Sequence, residues 1–241
     1  MTGRLALHGG GEFLPGDEAF LDALLRAAAD AAQARSREGP LRIVVVPTAA
    51  ARGRPDLAAA HGVDAFQRRA GATGIDAVVH VARVVDATTA ADGSLSDAIA
   101  SADLVYFPGG DPDLIPAIFG SSATGRALRR AYEDGAVVGG ASAGAMALAA
   151  WTWTPEGGVR GLGFVPGLAV FPHYDEGVRK RWQQNLAGVA PSDIGYLGLD
   201  ERTGVISEGA EWVVAGEGAV HWFAPGSPDP VARTDGERLR L

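Results

Sequence analysis

Residues Val137 to Leu148 read VVGGASAGAMAL, and the reading of the five at its centre, Gly140-Ala141-Ser142-Ala143-Gly144, decides the fold. A short apolar run, Ala136-Val137-Val138, leads into the serine, and an Ala/Met/Leu stretch suited to a helix leads out of it. A strand that turns sharply into a helix at a serine lifts the hydroxyl above the sheet edge, while small flanking residues keep side chains out of the turn. The amides of Ala143 and Gly144 then point from a helix N-terminus at any oxyanion forming beside the serine. In a chain with 34 glycines the same pattern also fits a plain tight turn, so its surroundings have to give it meaning.

Outward from this elbow, short β-rich runs alternate with amphipathic stretches. The runs are Arg4 to His8, Leu41 to Pro47, Ala77 to Val85, Leu104 to Phe107 and Ala136 to Val138. Between them, Asp17 to Arg35 and Asp56 to Ala70 carry apolar residues at helical spacing, with Asp17 and Asp56 as candidate caps. Alternation of this kind predicts βαβ units: an α/β fold with a mostly parallel sheet flanked by helices. After Trp151 the pattern changes to short runs broken by Gly and Pro, at Leu168 to Phe171, Tyr196 to Leu199, Gly204 to Ser207, Trp212 to Ala215 and Ala219 to Phe223. These read as extra C-terminal strands or hairpins, with one helix from Glu176 to Ala187. Residues 1–228 are expected to form a single domain, and the polar residues 229–241 a C-terminal tail.

Composition narrows the chemistry. The chain has 241 residues, enough for one sizeable core, and a net charge of -8 that offers no general attraction for nucleic acid. No apolar run approaches the roughly 20 residues that span a bilayer, and the four apolar-rich residues before Gly9 are too few for a signal-peptide core. A cytoplasmic protein that binds neither nucleic acid nor membrane is therefore expected. There are no cysteines, which leaves Ser, Thr, Lys or a carboxylate for any covalent catalysis. No HExxH or close His/carboxylate set predicts a metal, and no dinucleotide or phosphate-loop signature predicts a cofactor.

Parallel α/β sheets carry their sites at the carboxyl ends of strands, where four loops are unusual: His8-Gly9-Gly10-Gly11-Glu12, Pro47-Thr48-Ala49, Pro108-Gly109-Gly110-Asp111 and the Ser142 turn. The serine needs a base, and there are five histidines. His61 and His80 read as solvated or packed positions within a helix and a strand. His8 ends the first strand and can line the site, and His221 sits in a C-terminal strand beside Trp222. His173, between a strand-like run and a helix and stiffened by Pro172, is best placed to be aimed at the serine. A carboxylate must orient that imidazole. Asp200 and Glu201 are adjacent at a strand end, where alternation turns one of them toward the site, and Asp175 and Glu156 are further candidates. The glycines of Phe107-Pro108-Gly109-Gly110-Asp111 offer a second set of oxyanion amides.

FPGGDP, GGASAGAMAL, FPHYDEGVRKRW and GYLGLDERTGV, in that order, resemble peptidase family S51, the serine peptidases that include dipeptidase E and cyanophycinase. The resemblance runs from about Arg4 to Phe223. It implies a class I glutamine amidotransferase-like (flavodoxin-like) fold, with Ser142 as nucleophile, His173 as base, Glu201 as the acid, and Gly110 and Ala143 as oxyanion donors. It also implies that Gly109, Asp111, Arg179 and Arg181 bind substrate, since basic residues after the histidine face the substrate in the cyanophycinase-like branch. The chain departs from that pattern at Pro112, where a polar amide is common, and in the short stretch between Ser142 and His173. Trp151 and Trp153 fall in that stretch, as an aromatic wall or as core.

The expected activity is hydrolysis of a small peptide or isopeptide, either an Asp-containing dipeptide or a cyanophycin-like β-aspartyl bond, through an acyl-enzyme and without metal or cofactor. A homodimer is compatible with such folds. Two other readings stand beside it. In one, the elbow serves a non-peptidase, amidotransferase-like binding or regulatory protein. In the other, His8-Gly9-Gly10-Gly11 is an esterase oxyanion motif and Ser142, Asp200 and His221 form an α/β-hydrolase triad, although that motif follows the third strand of an α/β-hydrolase and here follows the first.

Overall fold

The structure is a computed structural model that describes residues 2–186 and 189–241, the side chains of Glu176, Gln183, Asn185 and Leu186 excepted. Its strands are β1 (Leu5–His8), β2 (Leu41–Val45), β3 (Ala77–Val81), β4 (Leu104–Phe107), β5 (Val137–Ala141), β6 (Ala149–Thr154), β7 (Gly157–Arg160), β8 (Val165–Phe171), β9 (Gly195–Leu199), β10 (Thr203–Glu208), β11 (Glu211–Gly216), β12 (Val220–Phe223), β13 (Val231–Arg233) and β14 (Arg238–Leu239). Its helices are α1 (Glu18–Ala34), α2 (Pro55–Thr73), α3 (Ala87–Ala90), α4 (Gly93–Ala100), α5 (Leu114–Phe119), α6 (Ala123–Glu133), α7 (Ala143–Leu148) and α8 (Glu176–Leu186). Ala187, the last residue of the helix expected at 176–187, lies outside the described residues.

The central sheet has the order β14-β11-β10-β1-β5-β4-β2-β3. From β1 to β3 every pairing is parallel, and β10, β11 and β14 extend the sheet antiparallel. A second sheet, β13-β12-β9-β8-β6-β7, is built from the C-terminal half. The α/β architecture with added C-terminal strands is thus the one the alternating pattern predicts. Residues 229–241, whose polar composition reads as a tail, supply β13 and β14, which pair with β12 and β11 and place Leu239 opposite Trp212.

Strand β4 shows why the centre of the sheet is an unbroken apolar run. Side chains alternate across a strand, so Leu104 and Tyr106 join Phe20, Leu24 and Phe66 beneath α1 and α2, while Val105 and Phe107 join Phe119 and Leu128 on the opposite face. Helices on both faces leave no side of β4 wet, which removes the polar alternation of a half-exposed strand. Neither expected cap works as one. Asp17 precedes α1 without a side-chain capping bond, and Asp56 lies inside α2, paired to Arg83. The carboxylate of Asp17 turns instead into the loop after β1, where it accepts from Phe13 N–H at 2.8 Å.

Candidate active site

Ser142 occupies the single residue between β5 and α7, with φ 50° and ψ -116°. A non-glycine residue held there costs about 1–3 kcal/mol and persists only where its surroundings enforce it. They do so from both sides. Ser142 N–H donates to His8 O at 3.0 Å, and Ser142 O accepts the first helical bond from Met146 N–H at 3.0 Å. The flanking glycines allow the crossing: a Cβ on Gly140 would stand 2.6 Å from Gly144 C, and one on Gly144 would stand 2.2 Å from Phe107 O on β4. The G-x-S-x-G spacing therefore follows from how tightly helix, turn and sheet pack.

His173 leaves β8 by way of Pro172, itself with a positive φ of 52°. Its N–H donates to Gly9 O at 2.7 Å, and the preceding carbonyl, Pro172 O, accepts from the indole of Trp182 at 2.8 Å. These bonds aim the ring. Nε2 lies 2.9 Å from Ser142 Oγ and Nδ1 lies 2.7 Å from Glu201 Oε1. An ionised carboxylate only accepts, so Nδ1 carries the proton toward Glu201 and Nε2 is left to accept from the serine hydroxyl. About 40% of each side chain of the His173–Glu201 pair is exposed, so solvent reaches it.

The neighbouring acids point elsewhere. Asp200 Oδ2 accepts from Ala219 N–H at 3.0 Å, and its Oδ1 faces His221 Nε2 at 3.4 Å. Asp175 is exposed at the start of α8. His221 Nε2 therefore sits between Asp200 and the guanidinium of Arg179, while the imidazole on Ser142 Oγ is that of His173, and the order of residues that would make an esterase triad has no matching geometry. Nor does the His8-Gly9-Gly10-Gly11 loop behave as an esterase oxyanion motif. It ties together the backbone segments that carry His173 and Glu201: Gly9 O receives His173 N–H, Gly10 O receives Arg202 N–H at 2.8 Å, and Gly10 Cα faces the imidazole so closely that a Cβ would lie 2.2 Å from Cε1.

On the other flank of Ser142 lies the loop after β4. A Cβ on Gly109 would stand 3.1 Å from Ser142 Cβ, so this loop reaches Ser142. Gly109 N–H donates at 2.8 Å to Glu12 Oε1, a residue whose loop stands out in the sequence by its glycines while its carboxylate carries no signal of this contact. Asp111 N–H donates to Ala49 O at 2.8 Å, and the Asp111 side chain turns to Arg52, 3.6 Å away. Among the described residues no hydrogen bond takes the amides of Gly110 or Ala143. Beneath the loop His8 and Asp17 are buried together, Nε2 2.9 Å from Oδ1 at an angle short of a hydrogen bond. Burial, with the Asp17 and Glu12 charges nearby, pushes the phenol of Tyr106 well above its ordinary range and keeps it protonated.

The two arginines of α8 part company. Arg179 donates to Tyr174 O at 3.0 Å, lies over the Tyr174 ring and sits 3.0 Å from His221 Nε2. Arg181 is exposed and borders a groove of about 340 Å³ formed with Trp153, Pro172, His173, Val178 and Trp182. Trp153 meets Trp182 edge to face in that wall, whereas Trp151 lies over Gly158 in the β6–β7 hairpin. A second groove of about 390 Å³ opens beside Gly110, between the loop after β2 and α2, and includes Arg54 and His61. No helix among the described residues is long and apolar enough to cross a membrane.

Comparison with known proteins identifies a family and a fold. The model of peptidase family S51 matches residues 9–214, a span that holds Glu12, Ser142, His173 and Glu201. No curated protein matches the chain significantly. Among solved structures, a peptidase from an acI-B1 Actinobacterium superposes with a TM-score of 0.82 at 24% identity, covering 100% of this chain and 98% of that one. A putative peptidase E protein from Listeria monocytogenes superposes with a TM-score of 0.59 at 14% identity, covering 90% and 100%. At such identities the likeness is one of fold.

Proposed function

The chain belongs to peptidase family S51, and from that premise we propose that it cleaves a small peptide or isopeptide amide through an acyl-enzyme on Ser142. The observation that carries this reading is the unbroken relay from Ser142 Oγ to His173 Nε2 and from His173 Nδ1 to Glu201 Oε1. Ser142 Oγ attacks the scissile carbonyl carbon as its proton passes to Nε2. The carbonyl oxygen takes up the negative charge beside the amides of Gly110 and Ala143. Glu201 stabilises the imidazolium and holds its tautomer. Collapse breaks the C–N bond, and the proton on Nε2 leaves with the amine. Water then repeats the sequence on the ester and frees Ser142.

Because His173 must protonate the leaving amine, the leaving residue lies on the His173 side, at the groove of Trp153, Val178 and Trp182. The acyl part lies toward Gly110. Each side of the scissile bond thus has a groove of its own, and the substrates to test are the α-aspartyl dipeptides and β-aspartyl isopeptides that the family resemblance implies. The expected result is hydrolysis of aspartyl-leucine or of a β-aspartyl-lysine dipeptide, lost in step with phosphonylation of Ser142 by an alkyl fluorophosphonate. Turnover that persists after Ser142 is fully labelled, or no turnover of either dipeptide, would refute the reading.

Arg181 gives this reading a test of its own. A guanidinium at the rim of the leaving-group groove is placed to pair with a substrate carboxylate. Arg181→Glu should raise KM for dipeptides ending in a free carboxylate by about tenfold, close to 1.4 kcal/mol, with kcat changed less than about threefold. An unchanged KM would return Arg181 to solvent.

A further inference from the structure

Building on that serine-peptidase reading, we propose that Glu12 is the positioning residue of the oxyanion hole, its carboxylate selecting which amide of the Gly109–Gly110 loop faces the nascent oxyanion. Two consecutive glycines have no Cβ to restrain the peptide between them, so its orientation has to come from outside. Two contacts supply it. Asp111 N–H is held by Ala49 O on one side and Gly109 N–H by Glu12 Oε1 on the other. Between those anchors Gly110 takes φ +150°, where a side chain would meet Ala49 O at 2.2 Å. With its two neighbours engaged, the Gly110 amide is the one left over for substrate.

Glu12 can do this because its own loop is anchored at both ends. Gly9 N–H donates to Thr203 O at 2.9 Å, and Gly10 N–H approaches His8 Nδ1 at 3.3 Å. Phe13 N–H donates to Asp17, which is buried against His8. The segment from His8 to Asp17 thus straps across the site, with Gly10 against His173 on one flank and Glu12 against Gly109 on the other. Among the described residues no cation lies within ion-pair distance of the Glu12 carboxylate. An unneutralised negative charge near a developing oxyanion opposes it, so the benefit of Glu12 lies in the acceptor it offers Gly109. That separates the role of the oxygen from the role of the charge.

Glu12→Gln keeps the length and the acceptor oxygen and removes the charge, whereas Glu12→Asp keeps the charge and withdraws the oxygen by one methylene. Steady-state kinetics on whichever aspartyl dipeptide the wild type cleaves, with thermal melting as a check on folding, should give Glu12→Gln a kcat within about threefold of wild type or faster. Glu12→Asp should lose at least about tenfold in kcat, with KM for both variants within about threefold, as expected for an interaction made only in the transition state. The opposite ranking, or equal losses in both, would overturn the positioning role. A rise confined to KM would overturn it too, and would make Glu12 a substrate-binding group. Ser142→Ala run alongside tells the two readings apart: turnover surviving in that variant defeats the serine mechanism and this role with it, while an inactive Ser142→Ala beside an inverted Glu12 ranking defeats this role alone.

Discussion

Ser142→Ala is expected to lower kcat on aspartyl dipeptides by at least about 10⁴-fold, the scale on which removal of a nucleophile from a serine triad acts. The reason is that no other group can take over. The chain has no cysteine, and among the described residues the side chain hydrogen-bonded to His173 Nε2 is the Ser142 hydroxyl at 2.9 Å. Water replacing Oγ would meet the same imidazole and the same oxyanion amides, so some residual rate is expected, but without the positioning that a covalently mounted oxygen provides. Alanine keeps the backbone bonds to His8 O and Met146 N–H, so the elbow should survive. Substrate affinity should change by less than about threefold and the melting temperature should hold or rise slightly, because a strained active site trades stability for function. A variant with wild-type kcat would place the nucleophile elsewhere. A variant that melts well below wild type would show that the hydroxyl, rather than the glycine spacing, holds the elbow together.

How much of this site is legible in the sequence depends on whether each contact is local. The elbow is legible because its constraint lies within five residues: Gly140 packs on Gly144, and Gly144 on the neighbouring strand. Choosing among the acids is harder, because Asp200 and Glu201 are adjacent and only alternation separates them. What turns Asp200 away is Ala219 N–H and His221, partners brought in by β12. The glycine-rich loop after β1 stands out by composition, yet its work is done against His173 and Glu12's against Gly109, contacts about a hundred residues or more apart that no local pattern encodes. A local signal did exist for the arginines. Residues two apart on a helix do not share a face, so Arg179 and Arg181 could not both meet one substrate, and the structure ties Arg179 to Tyr174 and His221. The polar composition of 229–241 misleads for a related reason, since short edge strands face solvent and need few apolar residues to pair.

Gly10→Ala should cost at least about 100-fold in kcat although residue 10 brings no functional group to the site. A misplacement of about 1 Å in a reacting group is enough for such a loss, and the methyl group demands more. It would stand 2.2 Å from His173 Cε1, 2.7 Å from Nε2 and 2.8 Å from Nδ1, so the imidazole must leave the line between Ser142 and Glu201. The backbone cannot yield instead, because Gly10 O is held by Arg202 N–H and Gly9 O by His173 N–H. Some of the loss would come from strain, since φ at Gly10 is +112°. Gly11→Ala separates the two effects: it also imposes a positive φ, +71°, but its methyl would lie at an ordinary 3.4 Å from Glu201 Oε2. That variant should keep kcat within about fivefold while losing stability of the order of 1 kcal/mol. Measuring kcat, melting temperature and the rate of fluorophosphonate labelling of Ser142 on both variants completes the test. Labelling needs the base on the serine, so it should slow in Gly10→Ala in parallel with kcat. Equal losses in the two variants would assign the effect to loop strain, and a normal labelling rate in Gly10→Ala would show that His173 keeps its place by other means.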